Sequence, residues 1–190
     1  MDGPPSRTPK RLQSPLRPGS KPMKIAVIAC VLLVASPRIG VAQDTNPVPA
    51  IDATLDAFHR AASVADGAHY FALFSRDGVF IGTDASERWT VAQFRAYAEP
   101  YFSKGRGWTY VPRVRHVVVA DLPCRCVAAF DEILDNSNYG TTRGTGTVVL
   151  ENGSWKIAQY ALTIPVPNDL ARDVVSRIRA FDSTKAVPRP

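Results

Sequence analysis

Histidine, cysteine and methionine are scarce in this chain: three His, three Cys and two Met in 190 residues. His59 and His69 have no partner at ligand spacing, so no metal site is expected. There is no Gly-rich phosphate loop, no Gly-x-Ser-x-Gly elbow and no His-Glu-x-x-His, and no cofactor is expected. Cys124 and Cys126 alternate on an expected strand and would share one face. A disulfide between residues two apart in extended chain is geometrically poor, so they read as two small apolar fillers. A basic excess is also missing where it would count. Lys and Arg number 23 against 17 Asp and Glu, but residues 1–42 hold seven of the bases and a single acid. From Gln43 onward there are sixteen of each, so no nucleic-acid partner is expected.

A long hydrophobic run is lacking too. Ile25 to Ala35 is apolar for only eleven residues, too short to span a bilayer. With Lys21 and Lys24 before it and Gly40-Val41-Ala42 after it, the run reads as an export signal over 23–42, cleaved after Ala42. The expected location is periplasmic or secreted, with no stable membrane anchor after cleavage. Residues 1–22, rich in Pro, Ser and Arg, read as a disordered basic extension or a mis-called start ahead of Met23.

The remainder has the length of one domain: a linker over 43–49, a folded unit over 50–182 and a disordered tail over 183–190. Ile51, Leu55, Phe58, Ala62 and Ala65 form one apolar stripe of a helix. Ala68–Phe74 reads as a second short helix, and Val79–Ile81 as a strand after the Asp77-Gly78 turn. Thr90 and Gln93 form a capping box for a third helix, which Pro100 is expected to end near Glu99. The period then changes. Trp108–Ala120, Cys126–Leu134, Thr141–Leu150 and Trp155–Ile164 are rich in Val, Ile, Thr and aromatics, with short turns between them. They read as antiparallel neighbours. Asn168 is expected to cap a last helix bearing Leu170, Val174, Ile178 and Phe181. Helices first and a strand meander after them predict an α+β fold, with a curved antiparallel sheet packed against N-terminal helices and a C-terminal helix.

Four segments carry a family resemblance: Tyr70-Phe-Ala-Leu-Phe-Ser-Arg-Asp-Gly-Val-Phe80; Gly82-Thr-Asp-Ala-Ser-Glu-Arg-Trp89; Phe130-Asp-Glu-Ile-Leu-Asp-Asn136; and Arg143-Gly-Thr-Gly146 followed by Gly153-Ser-Trp-Lys-Ile-Ala-Gln159. Over roughly Val48 to Val175 the chain resembles the SnoaL-like exported proteins of the nuclear transport factor 2-like superfamily. The resemblance implies a cone-shaped sheet around a pocket plugged by the N-terminal helices, often paired through the sheet as a homodimer. It implies no single function, because members include isomerases, cyclases, dehydratases and oligomerisation domains.

Alternation along the strands sets the expected site. Trp108, Tyr110, Val114, His116 and Val118 would share one face of their strand, with Arg113 and Arg115 on the other. Phe130 and Glu132 would share one face of the next strand, and Asp131 the opposite face. Only one of these carboxylates can enter the cone. In an apolar pocket its pKa would rise and it could act as a general base, or it could pair with Arg115 or Arg143 across the sheet. Trp155 and Gln159 would share a face of the last strand. The expected ligand-binding residues are Trp108, Tyr110, His116, Arg143 and Gln159, with Asp84 and Arg88 at the rim. The leading expectation is binding of a small apolar or amphipathic molecule in the cone. The alternatives are a cofactor-independent isomerase, cyclase or hydratase, or a non-catalytic oligomerisation domain. In the enzyme alternative Asp131 or Glu132 is the base, and His116 or Tyr110 polarises an oxygen.

Overall fold

The structure, a computed structural model, describes residues 46–185. The expected basic extension, export signal and most of the linker lie outside the described residues. Helices α1 (Val48–Ser63) and α2 (Gly67–Ala72) lead into strands β1 (Phe74–Ile81) and β2 (Arg88–Thr90). Helix α3 (Val91–Phe102) comes next, followed by β3 (Val111–Val119), β4 (Val127–Asn136), β5 (Gly140–Glu151) and β6 (Ser154–Thr163). A 3-10 turn, Asn168–Leu170, precedes α4 (Ala171–Lys185). The six strands form one curved, unclosed sheet in the order β2-β1-β6-β5-β4-β3. The meander β3 to β6 is antiparallel, as its short turns predict. The first strand departs from that pattern: β1 lies parallel to β6, reached through the whole of the meander.

The helices form where the sequence supplies stripes and caps. The stripe of α1 buries Ile51, Leu55, Phe58 and Ala62, and His59 lies buried beside it. Asp66 caps α2 by accepting the His69 N–H at 3.0 Å. The Thr90–Gln93 capping box is present in full and starts α3. Pro100 does not end that helix. It removes one donor, but the Ser103 N–H still reaches the Glu99 carbonyl at 3.0 Å, and burial of Ala98 and Phe102 holds the last turn. Asn168 lies inside the 3-10 turn rather than ahead of the helix, so the final helix starts at Ala171, two residues later than a cap at Asn168 would start it.

Two β-bulges overturn the expected strand faces. An extra residue, Arg113, stands between the pairs Pro112↔Leu134 and Val114↔Ile133. A residue inserted into a period of two reverses every side chain beyond it. Trp108 and Tyr110, which precede the strand, therefore face inward together with Arg115, while His116 faces out. The second bulge lies at Ala158, between the pairs Thr147↔Gln159 and Val148↔Ile157. Trp155 and Ile157 point inward before it, and Tyr160 and Leu162 after it, leaving Gln159 exposed. Strand β4 has no bulge, and its alternation holds: Ala128, Phe130, Glu132 and Leu134 are buried on one face.

The cysteines also differ from expectation. Cys124 and Cys126 lie in the turn between β3 and β4 and form a disulfide. Arg125 between them takes a left-handed backbone with φ 45°, and the Cα atoms stand 5.1 Å apart. Extended chain would have held them farther apart, whereas the reversal at Arg125 brings them within bridging range.

The interior is largely aromatic. Phe80 stacks on Phe94 at 3.9 Å and Phe58 on Tyr70 at 4.5 Å, between the helices and the sheet. A carboxylate sits within it. Glu132 has no exposed surface and accepts three hydrogen bonds. His59 Nε2 donates to Oε1 at 2.6 Å, the Tyr160 hydroxyl to the same oxygen at 2.9 Å, and Arg115 Nε to Oε2 at 2.9 Å. Arg115 Nη1 then reaches Asp56 at 2.9 Å and Asp52 at 3.3 Å on α1. Gly144 on the neighbouring strand makes the arrangement possible, because a Cβ there would strike the Tyr160 hydroxyl. Burial alone would raise the Glu132 carboxyl. The hydrogen bonds and charges of His59 and Arg115 outweigh burial and hold it below the ordinary carboxylate range. The raised pKa expected of a pocket carboxylate is therefore not found at Glu132, and the pairing with Arg115 is.

A depressed carboxyl stabilises the fold above its unfolded pKa, and that contribution is lost as pH falls through the folded value. E132Q is expected to lower the free energy of unfolding at pH 7 by about 3 kcal/mol, measured in urea. The gap between wild type and variant should narrow once pH falls below about 4, the ordinary carboxylate value, and go on narrowing through the lower folded value of Glu132. An equal gap at both pH values would show that Glu132 is not held as a charge.

Candidate functional site

The open end of the sheet carries a cleft of about 350 Å³. Residues from both ends of the sheet order and from α3 build it. The end of β1, the β1–β2 turn and β2 supply Phe80, Gly82, Thr83, Glu87 and Trp89, and α3 supplies Phe94, Tyr97 and Tyr101. Trp108 and Tyr110 come from the segment before β3, Leu162 from β6, Asn136 from the last residue of β4, and Asn138 and Tyr139 from the β4–β5 turn.

Local chain chemistry places these walls. A Cβ at Gly107 would strike the Ala62 carbonyl, so the missing side chain lets the backbone close on α1. The Trp108 N–H then bonds to that carbonyl at 3.2 Å and turns the indole inward. Asn136 ties two walls together. Its Nδ2 donates to the Thr109 carbonyl at 2.9 Å, and its Oδ1 accepts the N–H groups of Asn138 and Tyr139, each at 2.9 Å. On the opposite wall Trp89 stacks on Tyr97 at 4.8 Å. Glu87 is held by its own turn: Gly82 N–H donates to the Glu87 carbonyl at 2.8 Å, and Asp84 N–H to Oε2 at 3.2 Å. A Cβ at Gly82 would strike that carboxylate.

Two phenols of the cleft, Tyr97 and Tyr110, are held in their protonated form. Burial, reinforced by Tyr139 and Tyr97, pushes Tyr110 up to about 12. Burial also raises Tyr97, helped by Tyr101, Glu87 and Tyr139. The hydroxyls are thus neutral groups able to donate and accept around an apolar floor. Beneath that floor a void of about 10 Å³ is lined by His59 and Tyr160, among others. Phe80, Trp108, Tyr110 and Leu162 line both spaces and form the layer between them. Glu132 lines neither.

The residues singled out from the sequence separate into three groups. Trp108 and Tyr110 line the cleft. Glu132 is inside the fold, below the cleft floor. Asp131 and His116 meet on the outer face of the sheet, with Nδ1 and Oδ2 3.0 Å apart and both side chains exposed. Arg143 and Gln159 are exposed as well and do not reach the cleft. Asp84 closes its own turn by accepting the Ser86 N–H at 2.9 Å, and Arg88 is exposed on the edge strand. Neither lines the cleft, whereas Glu87 between them does. The cleft residues that strand reasoning missed are Glu87, Trp89, Tyr97, Tyr101 and the β4–β5 turn. Four-residue spacing of Tyr97 and Tyr101 on a capped helix was the available signal. His59 was likewise visible as Leu55 plus four. Among the described residues no group of His, Cys, Asp and Glu could hold a metal ion.

The family model for the SnoaL-like domain matches residues 51–167. No curated protein matches the chain. Solved structures share the fold at low identity. An NTF2-like protein of unknown function from Pseudomonas putida KT2440 is 12% identical, with a TM-score of 0.52 over 65% of this chain and 92% of its own. A cystatin-like-fold protein of unknown function from Nostoc punctiforme is 16% identical, with a TM-score of 0.51 over 62% of this chain and 90% of its own. A provisionally named scytalone dehydratase from Novosphingobium aromaticivorans is 15% identical, with a TM-score of 0.50 over 63% of this chain and 84% of its own. With most of its described residues inside the family match, the chain belongs to the SnoaL-like family, and its sheet and helix arrangement is a nuclear transport factor 2-like fold.

Proposed function

We propose that this protein binds a small apolar or amphipathic molecule in its aromatic cleft, outside the cytoplasm and as a homodimer. The carrying observation is the cleft itself: about 350 Å³, walled by Trp and Tyr side chains, with a few amide and hydroxyl groups to orient a guest. The geometry favours binding over the carboxylate chemistry of an isomerase, cyclase or hydratase. Such a base must meet the substrate and take a proton. Glu132 is locked by three donors beneath the floor, and Asp131 is on the outer face. Export draws support from the Lys-flanked apolar run over 25–35 and from the Cys124–Cys126 disulfide, which persists in oxidising compartments. Pairing draws support from the outer sheet face, where Val114 and Val118 are 47% and 68% exposed, and from α4, where Ile178 is 52% exposed.

Titration with the neutral fluorescent hydrophobe N-phenyl-1-naphthylamine should give saturable binding at one site per chain. N138W, which places an indole at the mouth, should weaken it at least about tenfold. Absence of binding, or equal binding by both proteins, would remove the cleft reading.

Sedimentation equilibrium should find a dimer, and V118D should shift it to monomer with the helical circular-dichroism signal retained. A wild-type monomer at about 100 μM would dispose of the pairing.

Intact mass of protein recovered from its host should place the N-terminus at Gln43; retention of residues 23–42 would count against export.

A further inference from the structure

The cleft has a charge pattern that restricts its guest further. Glu87 is the one Asp, Glu, Lys, Arg or His among its lining residues. It sits half-buried at the end of the wall formed by Trp89 and Tyr97, with Tyr101, Tyr110 and Tyr139 around the same space. Trp89 and Tyr97 stack at 4.8 Å, and Tyr97 and Tyr101 lie 5.9 Å apart. We infer that the cleft selects an organic cation, a quaternary or protonated amine carried on an apolar or aromatic body.

Three observations support this. Aromatic faces carry negative quadrupole charge, and several of them converging on one space hold an ammonium that is too bulky or too substituted to be solvated well. The carboxylate of Glu87 supplies the counter-charge, and the turn fixes its place: the Asp84 N–H holds Oε2, and Gly82 leaves the room it occupies. Its field reaches the rings, since Glu87, together with Tyr101 and Tyr139, adds to the effect of burial on the Tyr97 phenol. An anionic guest, by contrast, would be placed beside Glu87 with no basic side chain on the walls to compensate it. Arg143, the residue that sequence reasoning would offer to an acidic ligand, is exposed away from the cleft.

This inference rests on the cleft being a binding site, so the test separates the two. Trp fluorescence and calorimetry with the full chain would compare three probes of one size class: benzyltrimethylammonium, benzyl alcohol and phenylacetate. The ammonium should bind about tenfold more tightly than the alcohol, with phenylacetate weakest. E87Q should reduce the ammonium-to-alcohol ratio to near one. Y97L, which keeps the carboxylate and removes a ring, should reduce it severalfold and guards against an effect of E87Q on the turn. If benzyl alcohol binds wild type as well as the ammonium does, or if E87Q and Y97L both leave the ratio unchanged, the charge selection is wrong and the cleft reading stands. If none of the three probes binds, both readings fall.

Discussion

Glu132 is a carboxylate with no exposed surface in a core built from Phe, Tyr, Trp and aliphatic side chains. Left alone it would lose its charge, because burial costs a carboxylate several kcal/mol of solvation. It keeps the charge because α1, β3 and β6 each deliver a donor to it. His59 comes from the helix, Arg115 from one neighbouring strand and Tyr160 from a strand two places away. Arg115 then returns to Asp56 and Asp52 on α1. The network therefore fixes where the plug helix lies on the sheet. Hydrophobic burial of Ile51, Leu55 and Phe58 would hold α1 down but would not choose its position along the groove. Paired charges and hydrogen bonds have direction, and they choose it.

The cleft depends on that choice. The Trp108 N–H takes the Ala62 carbonyl near the C-terminal end of α1, and Gly107 permits the approach. Move α1 and the Trp108–Tyr110 wall moves with it. The polar network and the cleft are thus separate layers of one fold. Ion pairing lies beneath, a floor of Phe80, Trp108, Tyr110 and Leu162 lies above it, and the open aromatic space lies on top. One fold can host different functions when the residues lining its cavity change. Here that lining is rich in Tyr and Trp and carries one acid.

Much of this was legible in the chain. The stripe of α1, the capping box of α3, the short turns of the meander and the alternation of β4 are local patterns, and local patterns reach the structure intact. The error at His116 has a physical cause. Trp108, Tyr110 and His116 do fall at even spacing, but the bulge at Arg113 adds a residue and sends His116 outward in exchange for Arg115. Ala158 does the same between Trp155 and Gln159. A bulge of this kind responds to curvature of the sheet, which is a property of several strands together. Nothing in the residues 111–119 announces it. The cysteine pair was misread for a related reason, since the left-handed turn at Arg125 replaces the extended chain that alternation assumed.

The densest polar stretch, Phe80 to Trp89, shows the division most clearly. The sequence by itself determined that a turn leaves the first strand and that a capped helix follows, because Gly82, Asp84 and the Thr90–Gln93 box act within a few residues of themselves; the short strand β2 between them, Arg88–Thr90, exists only through its pairing with β1. It also determined the class of fold and the alternation of β4, because periodicity is a short-range property, but it left open whether Asp131 or Glu132 faces inward, and only the packed sheet put Glu132 in the core. Only the tertiary structure decided that Glu87, rather than Asp84 or Arg88, turns toward the cleft, and that Tyr97, Tyr101 and Tyr139 stand around it. Those side chains come from elements far apart in the chain, and their convergence is fixed by how sheet curvature and the buried Glu132 network seat the helices.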